Sequence, residues 1–329
     1  MEFKNVSVVI PVLNEEKYIE KCLDSLLNQC YPKNRLEILL IDGNSSDKTV
    51  SIIKKYTDKY SFIKLYSNPQ KTVQHALNIG IENSSGEYIV RMDAHAWYAE
   101  DYILKCVEYI QKTDADNVGG PTVVRGISPT QKVVAAAYHS PFALGGSKHY
   151  EEEFEGYADT VSWGAFKKKT LTDIGMYDSR LPRSEDDDLN FRITNRGGKI
   201  FITPEIKSVY YPKDSFEKLF KQYFEYGVWK VAVMKKHKRP LRLIHLVPMC
   251  FVAFLVIFGI MLFFCDFFKN IFWVGVITYL FADFYFSFKN KYLTKFVDQL
   301  KLMWAHFVIH VSYGLGFWVG IFKFFNSKW

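Results

Sequence analysis

Short apolar runs alternate with amphipathic stretches over the first two hundred residues. Four runs rich in β-branched residues occupy positions 7–12, 36–41, 63–66 and 88–92. Between them, apolar residues recur at helical spacing, as at Ile19, Leu23 and Leu26. Continuous apolar runs of this length are typical of strands buried on both faces of a parallel sheet. The pattern predicts an α/β fold built from repeated strand–helix units.

The pattern changes near residue 240. Residues 243–264 contain no Lys, Arg, Asp or Glu and are long enough to cross a bilayer as a helix. Residues 271–288, which include Asp283, and residues 302–322 are two further candidates. We therefore expect a membrane anchor over 241–329 with about three transmembrane helices. The alternative for the second and third segments is a pair of interfacial or re-entrant helices.

Basic residues set the expected orientation of this anchor. Five precede the first candidate span: Lys235, Lys236, Lys238, Arg239 and Arg242. The second connection also carries four, Lys289, Lys291, Lys295 and Lys301, whereas the first has only Lys269. The positive-inside rule then predicts a multi-pass protein of the cell membrane whose preceding domain is cytoplasmic. The net charge of +7 is concentrated at these boundaries, which favours anionic lipid over nucleic acid as the partner.

Between the two parts, residues 213–240 combine an aromatic face with several lysines. This composition predicts an amphipathic interfacial segment, or alternatively a helix packed on the preceding domain. We therefore expect a catalytic domain over 1–212. The apolar run at 6–13 is too short for a signal peptide, and the five cysteines show no C-x-x-C spacing, so we expect them to be reduced.

The strand at 88–92 is followed by Asp93 and, two residues later, His95. Open α/β sheets bind ligands beyond the carboxyl ends of their strands. A carboxylate and an imidazole at this edge indicate a metal–nucleotide site, although a turn Asp and a surface His would give the same pattern. The turn after the first strand has no G-x-G-x-x-G and the chain has no Walker A motif, which argues against an ordinary dinucleotide site.

Several motifs in order resemble family 2 glycosyltransferases. Residues 8–15 (VVIPVLNE), 41–49 (IDGNSSDKT) and 93–95 (DAH) resemble the nucleotide half of that family. Residues 163–166 (WGAF), 174–178 (IGMYD) and 185–192 (EDDDLNFR) resemble its acceptor half. The closest likeness is to the succinoglycan-type membrane glycosyltransferases of bacterial exopolysaccharide assembly. The resemblance implies a GT-A fold, a Rossmann-like nucleotide-binding sheet with an acceptor half, followed by C-terminal transmembrane helices.

The resemblance also implies which residues bind a nucleotide-sugar donor, most often a UDP-sugar. Asp42 would hold the uracil or ribose, although an Asp-Gly turn is the alternative. The further candidate donor contacts are Pro11, Val12, Glu15, Lys71 and Asp93. Asn14 with Glu15 also resembles a helix N-cap with an acidic first turn, and Lys71 is alternatively a surface lysine.

Asp93 and His95 are the candidate metal ligands. Transfer from a sugar nucleotide must neutralise the departing diphosphate, and a divalent ion does so directly. The resemblance implies Mn²⁺ or Mg²⁺, and the imidazole favours Mn²⁺. His95 departs from the Asp that most of the family has at this position. The alternative is that His95 only positions the diphosphate.

Asp186 is the candidate general base, because an acceptor hydroxyl must lose a proton as the new bond forms. Four successive carboxylates at 185–188 repel one another, which raises the proton affinity of some of them. By resemblance, the second residue of the Glu185–Asp186 pair is the base, with Glu185 the next catalytic candidate. The alternative is an acidic helix start capped by Ser184.

These expectations combine into an inverting, metal-dependent glycosyltransferase that moves a sugar to a lipid-linked saccharide at the cytoplasmic membrane face in polysaccharide biosynthesis. A processive synthase is disfavoured because no Arg-Trp pair follows Gln222 in the Q-x-x-R-W spacing. A polyprenyl-phosphate glycosyltransferase, whose acceptor is the lipid phosphate itself, is also compatible with these residues. So is a non-catalytic membrane adaptor that organises an assembly complex.

Overall fold

The computed structural model describes residues 1–238 and 243–327. Arg239 and Arg242, two of the basic residues before the first candidate span, lie outside the described residues. The chain forms two compact units. The first contains residues 1–123 and 148–210, and the second contains 124–147 and the described residues from 211 onward. Residues 124–147, which are expected from the sequence within the catalytic domain, instead group with the C-terminal helices.

The first unit alternates strands and helices. Its first six strands are β1 (Val6–Val12), β2 (Leu36–Asp42), β3 (Ile63–Ser67), β4 (Tyr88–Arg91), β5 (Trp97–Tyr98) and β6 (Asn117–Gly119). The strand β7 (Val123–Val124) lies at the unit boundary. The last four strands are β8 (Gly156–Tyr157), β9 (Ala165–Lys167), β10 (Ile200–Ile202) and β11 (Ser208–Tyr210). Its helices are α1 (Ile19–Leu27), α2 (Thr49–Thr57), α3 (Val73–Glu82), α4 (Tyr102–Thr113), α7 (Lys168–Asp173) and α8 (Glu185–Asn195). The predicted strand–helix alternation is confirmed.

The strands of the main sheet follow the order β3-β2-β1-β4-β9-β6-β10-β8. The strands β3, β2, β1 and β4 are parallel, and β9 joins antiparallel to both β4 and β6. The chain moves outward from β1 to β3 and then returns to the other side of β1 with β4. This reversal is a topological switch point, where such sheets leave a crevice at the strand ends. The loops after β1 and β4 border it.

Two apolar layers cover the sheet. Alternate residues of β1 point to opposite faces, so that Val8 and Ile10 join α1 and α4 in one core, whereas Val9 joins α3 and α8 in the other. Every residue of β2 is buried, including Glu37, whose carboxylate accepts the Ser7 hydroxyl. The unit is therefore a three-layer α/β/α sandwich, which confirms the predicted fold class and fixes the strand ends that carry the candidate site.

The second unit is helical, with α5 (Pro129–Tyr138), α6 (Pro141–Leu144), α9 (Phe216–His237), α10 (Val247–Met261), α11 (Asp266–Phe288) and α12 (Phe296–Phe324). A 3₁₀ turn at Leu243–Leu246 leads into α10. Among the described residues, three helical segments are long and apolar enough to cross a membrane: Leu243–Met261, Asp266–Phe288 and Phe296–Phe324. They coincide with the three segments expected from the sequence.

Candidate active site

The first two strand ends are joined by backbone hydrogen bonds. Val12 and Asp42 are register partners, and the amide of Gly43 donates to the carbonyl oxygen of Val12 over 2.8 Å. The Asp42 carboxylate is 8% exposed and accepts the amide of Ser45 at 3.2–3.3 Å. The Asp42 side chain therefore binds the backbone of its own loop, which holds the carboxylate at the sheet edge where a donor contact is predicted.

The loop after β1 is fixed by the loop after β2. The amide of Asn14 donates to Ser45 Oγ over 2.9 Å, and that of Glu15 to Thr49 Oγ1 over 2.7 Å. The prediction that Asn14 caps a helix is wrong, because Asn14 has a left-handed φ of 56° and α1 begins only at Ile19. Glu15 consequently lies in a rigid loop rather than in a first helical turn.

The remaining predicted donor contacts differ in exposure. Pro11 is partly exposed, whereas Val12 is 3% exposed and its side chain belongs to the core. Lys71 follows β3 with a φ of 60°. A methyl group added at Gly43 would lie 3.5 Å from the Cα of Lys71, which places Lys71 beside the same loop. The structure thus brings Pro11, Asp42 and Lys71 to one sheet edge.

Asp93 is held by aromatic residues at the end of β4. The indole Nε1 of Trp163 donates to Asp93 Oδ2 over 2.6 Å, and the Asp93 amide donates to the Tyr98 hydroxyl over 2.7 Å. Trp163 itself has a left-handed φ of 48°, and its carbonyl accepts the Tyr102 hydroxyl over 2.8 Å. These contacts fix the carboxylate in one orientation, as a ligand position requires.

His95 joins the loops on either side of the switch point. Its Nδ1 lies 2.9 Å from Glu15 Oε1. Ligating histidines generally donate their second ring nitrogen to a carboxylate, which fixes the tautomer and the ring orientation. The structure therefore places Glu15 behind His95, a relationship that the sequence did not predict.

Arg91 connects the two predicted halves of the site, although none of the sequence motifs includes it. Its guanidinium is 2.5 Å from Asp186 Oδ1, 3.4 Å from Glu185 Oε1 and 3.8 Å from Asp93 Oδ1. Arg91 is 6% exposed. Burial lowers its pKa, but the nearby carboxylates of Asp186 and Asp93 outweigh burial and raise it, so the guanidinium stays charged. A charged residue within a buried strand was the available signal, since such a charge requires partners.

Asp186 lies in the first turn of α8. Burial raises its pKa to about 7, the Arg91 charge opposes that shift, and Glu185 adds to it. A carboxylate that titrates near neutrality is suited to accept a proton at physiological pH. Ser184 occupies the N-cap position, but it has a φ of 60° and makes no side-chain cap hydrogen bond, so the capping alternative is wrong in that respect.

Buried amides anchor α8 against the sheet. Asn190 Oδ1 accepts the side-chain amide of Asn117 over 2.9 Å, and Asn190 Nδ2 donates to Thr160 Oγ1 over 2.8 Å. One turn along, Arg192 pairs with the fully buried Asp188 over 2.9 Å. Asp188 therefore has a structural partner, and within the same acidic run Glu185 and Asp186 contact Arg91.

The donor set fits a divalent ion that also binds a diphosphate. Among residues 1–238 and 243–327, no group of three or more His, Cys, Asp or Glu side chains could hold a metal by itself. Asp93 and His95 offer one carboxylate and one imidazole, so oxygens of a bound diphosphate would have to supply further ligands. Ions that bind chiefly through substrate phosphates commonly use so few protein ligands.

Comparison with known proteins identifies the family. The model of glycosyl transferase family 2 matches residues 7–170. A Methanococcus voltae dolichyl N-acetyl-α-D-glucosaminyl phosphate 3-β-D-2,3-diacetamido-2,3-dideoxy-β-D-glucuronosyltransferase is 33% identical over 241 residues, which cover 70% of this chain and 74% of the relative. The chain belongs to glycosyltransferase family 2. It is a glycosyltransferase, as the motifs predict.

Two further proteins are similar to this chain over most of its length. The succinoglycan biosynthesis protein ExoA of Rhizobium meliloti is 30% identical over 76% of this chain and 78% of its own length. The mannosyltransferase PcManGT of Pyrobaculum calidifontis, solved in complex with GDP-Man and Mn²⁺, superposes with a TM-score of 0.65 at 19% identity. That match covers 94% of this chain and 88% of the solved one, and it supports the GT-A assignment of the fold.

Proposed function

We propose that this glycosyltransferase moves a sugar from a nucleotide-sugar donor to a saccharide hydroxyl of a lipid-linked acceptor, with inversion, at the cytoplasmic face of the membrane. One observation carries the proposal: Arg91 contacts both Asp186 and Asp93, at 2.5 Å from the first and 3.8 Å from the second. Direct displacement at an anomeric carbon requires a base for the acceptor next to the donor-side carboxylate, and this contact supports that arrangement.

Each residue has a defined task in this reaction. Pro11, Asp42 and Lys71 bind the nucleoside diphosphate part of the donor. Asp186 accepts the acceptor proton, and its raised pKa supports that role. A divalent ion, Mn²⁺ or Mg²⁺, would be held by Asp93 and His95 and would supply charge neutralisation for the departing diphosphate. Glu15 orients the His95 ring through the 2.9 Å contact at Nδ1.

The relatives favour a saccharide acceptor over a lipid phosphate. The M. voltae enzyme is named for a dolichyl N-acetylglucosaminyl phosphate acceptor, and ExoA is named for succinoglycan biosynthesis. A phosphate acceptor needs little help from a base, whereas a sugar hydroxyl needs a carboxylate such as Asp186. The donor named with PcManGT is GDP-Man. For this chain a UDP-sugar is the proposed donor, because Asp42 resembles the family carboxylate that holds the uracil or ribose.

A donor screen tests the proposal. Full-length protein in lipid nanodiscs is given UDP-, GDP- and dTDP-sugars with a total lipid extract, and nucleoside diphosphate release and labelled lipid product are both measured. We expect one donor to give acceptor-dependent release that is lost in Asp93→Asn. Release that ignores the extract, or an Asp93→Asn variant as active as wild type, would contradict the proposal.

A further inference from the structure

The segment 174–179 leads from α7 towards α8 and contains the motif IGMYD, to which the proposed reaction gives no task. Its backbone is irregular, and both Gly175 and Met176 have left-handed φ values, of 83° and 54°. A left-handed φ outside glycine is uncommon and persists only where the surrounding structure holds it. The neighbours of this segment therefore determine its conformation.

Asn78 of α3 binds the segment through both atoms of its side-chain amide. Its Nδ2 donates to the carbonyl oxygen of Tyr177 over 2.8 Å, and its Oδ1 accepts the Tyr177 amide over 2.9 Å. One helical turn earlier, Gln74 Nε2 donates to the carbonyl oxygen of Ser179 over 3.1 Å. Residues four apart lie on one face of a helix, so α3 presents both amides to the same segment. These bonds satisfy peptide groups that have no partner in a sheet or helix.

The helix α8 binds the same segment through Arg192. Its guanidinium donates to the carbonyl oxygens of Ile174 and Met176, over 2.7 Å and 2.6 Å. The same guanidinium pairs with Asp188 in the first turn of α8 over 2.9 Å. The segment is therefore attached directly to the helix whose first turn carries Asp186.

Tyr177 packs in the core that α3 and α8 share. It is 3% exposed and belongs to the cluster that contains Leu77 of α3 and Leu189 of α8. Burial raises the pKa of its hydroxyl, the charge of Asp186 adds to that shift, and the charge of Arg91 opposes it. A displacement of Tyr177 would therefore disturb the surroundings of the contact between Arg91 and Asp186.

The start of α3 is tied to the edge of the sheet that carries Asp42. The Asn68 amide donates to the carbonyl oxygen of Asp42 over 2.7 Å, and Asn68 Nδ2 donates to that of Thr72 over 2.9 Å. Thr72 is the N-cap residue of α3. Because a helix is a rigid element, Asn78 keeps a fixed distance from this strand end.

We propose that Asn78 is a positioning residue for Asp186, because it holds the segment 174–179, and with it the first turn of α8, in place relative to the donor edge. The inference rests on the proposed role of Asp186 as the base. Direct displacement requires the base and the donor to be aligned, and a misplacement of about 1 Å can cost about a hundredfold in rate. Asn78 acts on the reaction only through the segment.

Single-turnover transfer and nucleotide affinity test this role in the full-length protein. The donor is the one selected from UDP-, GDP- and dTDP-sugars, the acceptor is a total lipid extract, and affinity is measured by calorimetry with the matching nucleoside diphosphate and Mn²⁺. We expect Asn78→Ala to slow transfer by about a hundredfold and to keep its nucleotide affinity near wild type. A rate equal to wild type, or an equal loss of rate and affinity, would overturn the proposal.

The matched control is Asn83→Ala at the end of the same helix. Asn83 Nδ2 donates to the carbonyl oxygen of Ile79 over 2.8 Å, so this variant also removes a hydrogen bond from an asparagine side chain to the backbone. It should transfer at the wild-type rate. Slowing as large as that of Asn78→Ala would show that any damage to α3 has this effect, which contradicts a specific role of Asn78.

A double-mutant cycle separates positioning from general damage. Two substitutions that act through one group are not additive, so Asn78→Ala should slow transfer little further in an Asp186→Asn background. Losses that multiply would overturn the proposal. If Asp186→Asn alone transfers like wild type, the base role fails and this inference fails with it. If Asp186→Asn is slow and Asn78→Ala is not, only this inference fails.

A second substitution covers the case in which Asn78→Ala does not fold, judged by thermal unfolding. Asn78→Asp has the same size and keeps an acceptor for the Tyr177 amide, but it places an oxygen against the Tyr177 carbonyl in place of a donor. We expect slower transfer with retained nucleotide affinity, and no further effect in the Asp186→Asn background. Transfer at the wild-type rate would overturn the proposal.

Discussion

Glu15 Oε1 lies 2.9 Å from His95 Nδ1 and so connects the loops after β1 and β4 across the switch point of the sheet. The contact joins a residue of the first loop to a candidate metal ligand in the second, and in the proposed site it orients that ligand. It also gives Glu15 a role that differs from direct contact with the nucleoside.

Replacing Glu15 should therefore weaken metal binding. Carboxylates that orient a ligating histidine typically contribute about 10- to 100-fold in metal affinity. We expect Glu15→Gln to lower Mn²⁺ affinity in the presence of nucleoside diphosphate by that factor, measured by titration with electron paramagnetic detection of free Mn²⁺. Glu16→Gln is the matched control, because Glu16 accepts the Lys48 amide in the same loop at 3.2 Å. Equal losses in both variants would indicate only loop damage.

Sugar transfer should require a divalent ion at Asp93. We expect Asp93→Asn, or excess chelator with wild type, to abolish turnover because the diphosphate charge is then not neutralised. His95→Asp should keep activity and shift the preference from Mn²⁺ towards Mg²⁺, since carboxylate suits the harder ion. An unchanged ion preference in His95→Asp would show that His95 only positions the diphosphate.

Asp186 should matter for transfer and not for donor binding. Removal of a general base slows a reaction by about a hundredfold to ten-thousandfold, and we expect Asp186→Asn to do so under single-turnover conditions. Nucleotide affinity, measured by calorimetry, should stay near wild type. Asp187→Asn is the control from the same acidic run. If Asp186→Asn loses affinity and rate equally, its role is structural; if transfer is nearly normal, a phosphate acceptor becomes the better account.

The pH dependence of the transfer rate should reflect the pKa of Asp186 and the effect of Arg91 on it. Asp186 must be deprotonated to accept the proton, and its pKa is raised to about 7, so the transfer rate should fall as the pH drops below that value. Arg91 lowers the pKa of Asp186. Arg91→Gln should therefore move the acidic limb of the rate profile to higher pH, while Arg91→Lys should keep it nearer to wild type.

The control for this profile is Arg35→Gln, which removes an exposed arginine that donates to Asn5 Oδ1 over 3.2 Å before β2 begins, at the opposite end of the strand from Asp42. Its acidic limb should coincide with that of wild type. A profile that is the same in Arg91→Gln and wild type would show that Asp186 does not control the limb.

The sequence predicted features that depend on neighbouring residues in the chain, such as strands and their ends. The apolar residues at 38–41 before Asp42 identified a buried strand, and the position of the strand end followed directly from them. Arg91 was missed because its partner Asp186 is 95 residues away, and a single sequence shows that a buried charge needs a partner without showing which. The N-cap at Asn14 was wrong because hydrogen bonds from the loop after β2 override the local preference.

In the C-terminal helices too, the sequence did not show which distant segments contact each other. Apolar length identified 302–322 as a third candidate transmembrane segment, but length does not show which helices the segment packs against. That packing depends on Gly316 fitting against Phe224 and on His310 meeting Tyr279, which are contacts between distant segments. The grouping of residues 124–147 with these helices depends on similar contacts, including His310 with Phe142.

In the proposed reaction, the charge of Arg91 also connects proton uptake by Asp186 to binding of the nucleoside diphosphate product. Before transfer, its positive charge is balanced by Asp186, Glu185 and Asp93. Once Asp186 takes the acceptor proton, one of those negative charges is gone, and the local potential becomes more positive just as the leaving diphosphate gains charge. We therefore expect the protonated enzyme to hold its product more tightly than the deprotonated one. If Asp186 has the proposed role, inhibition by nucleoside diphosphate should strengthen as the pH falls through about 7, the pKa of Asp186.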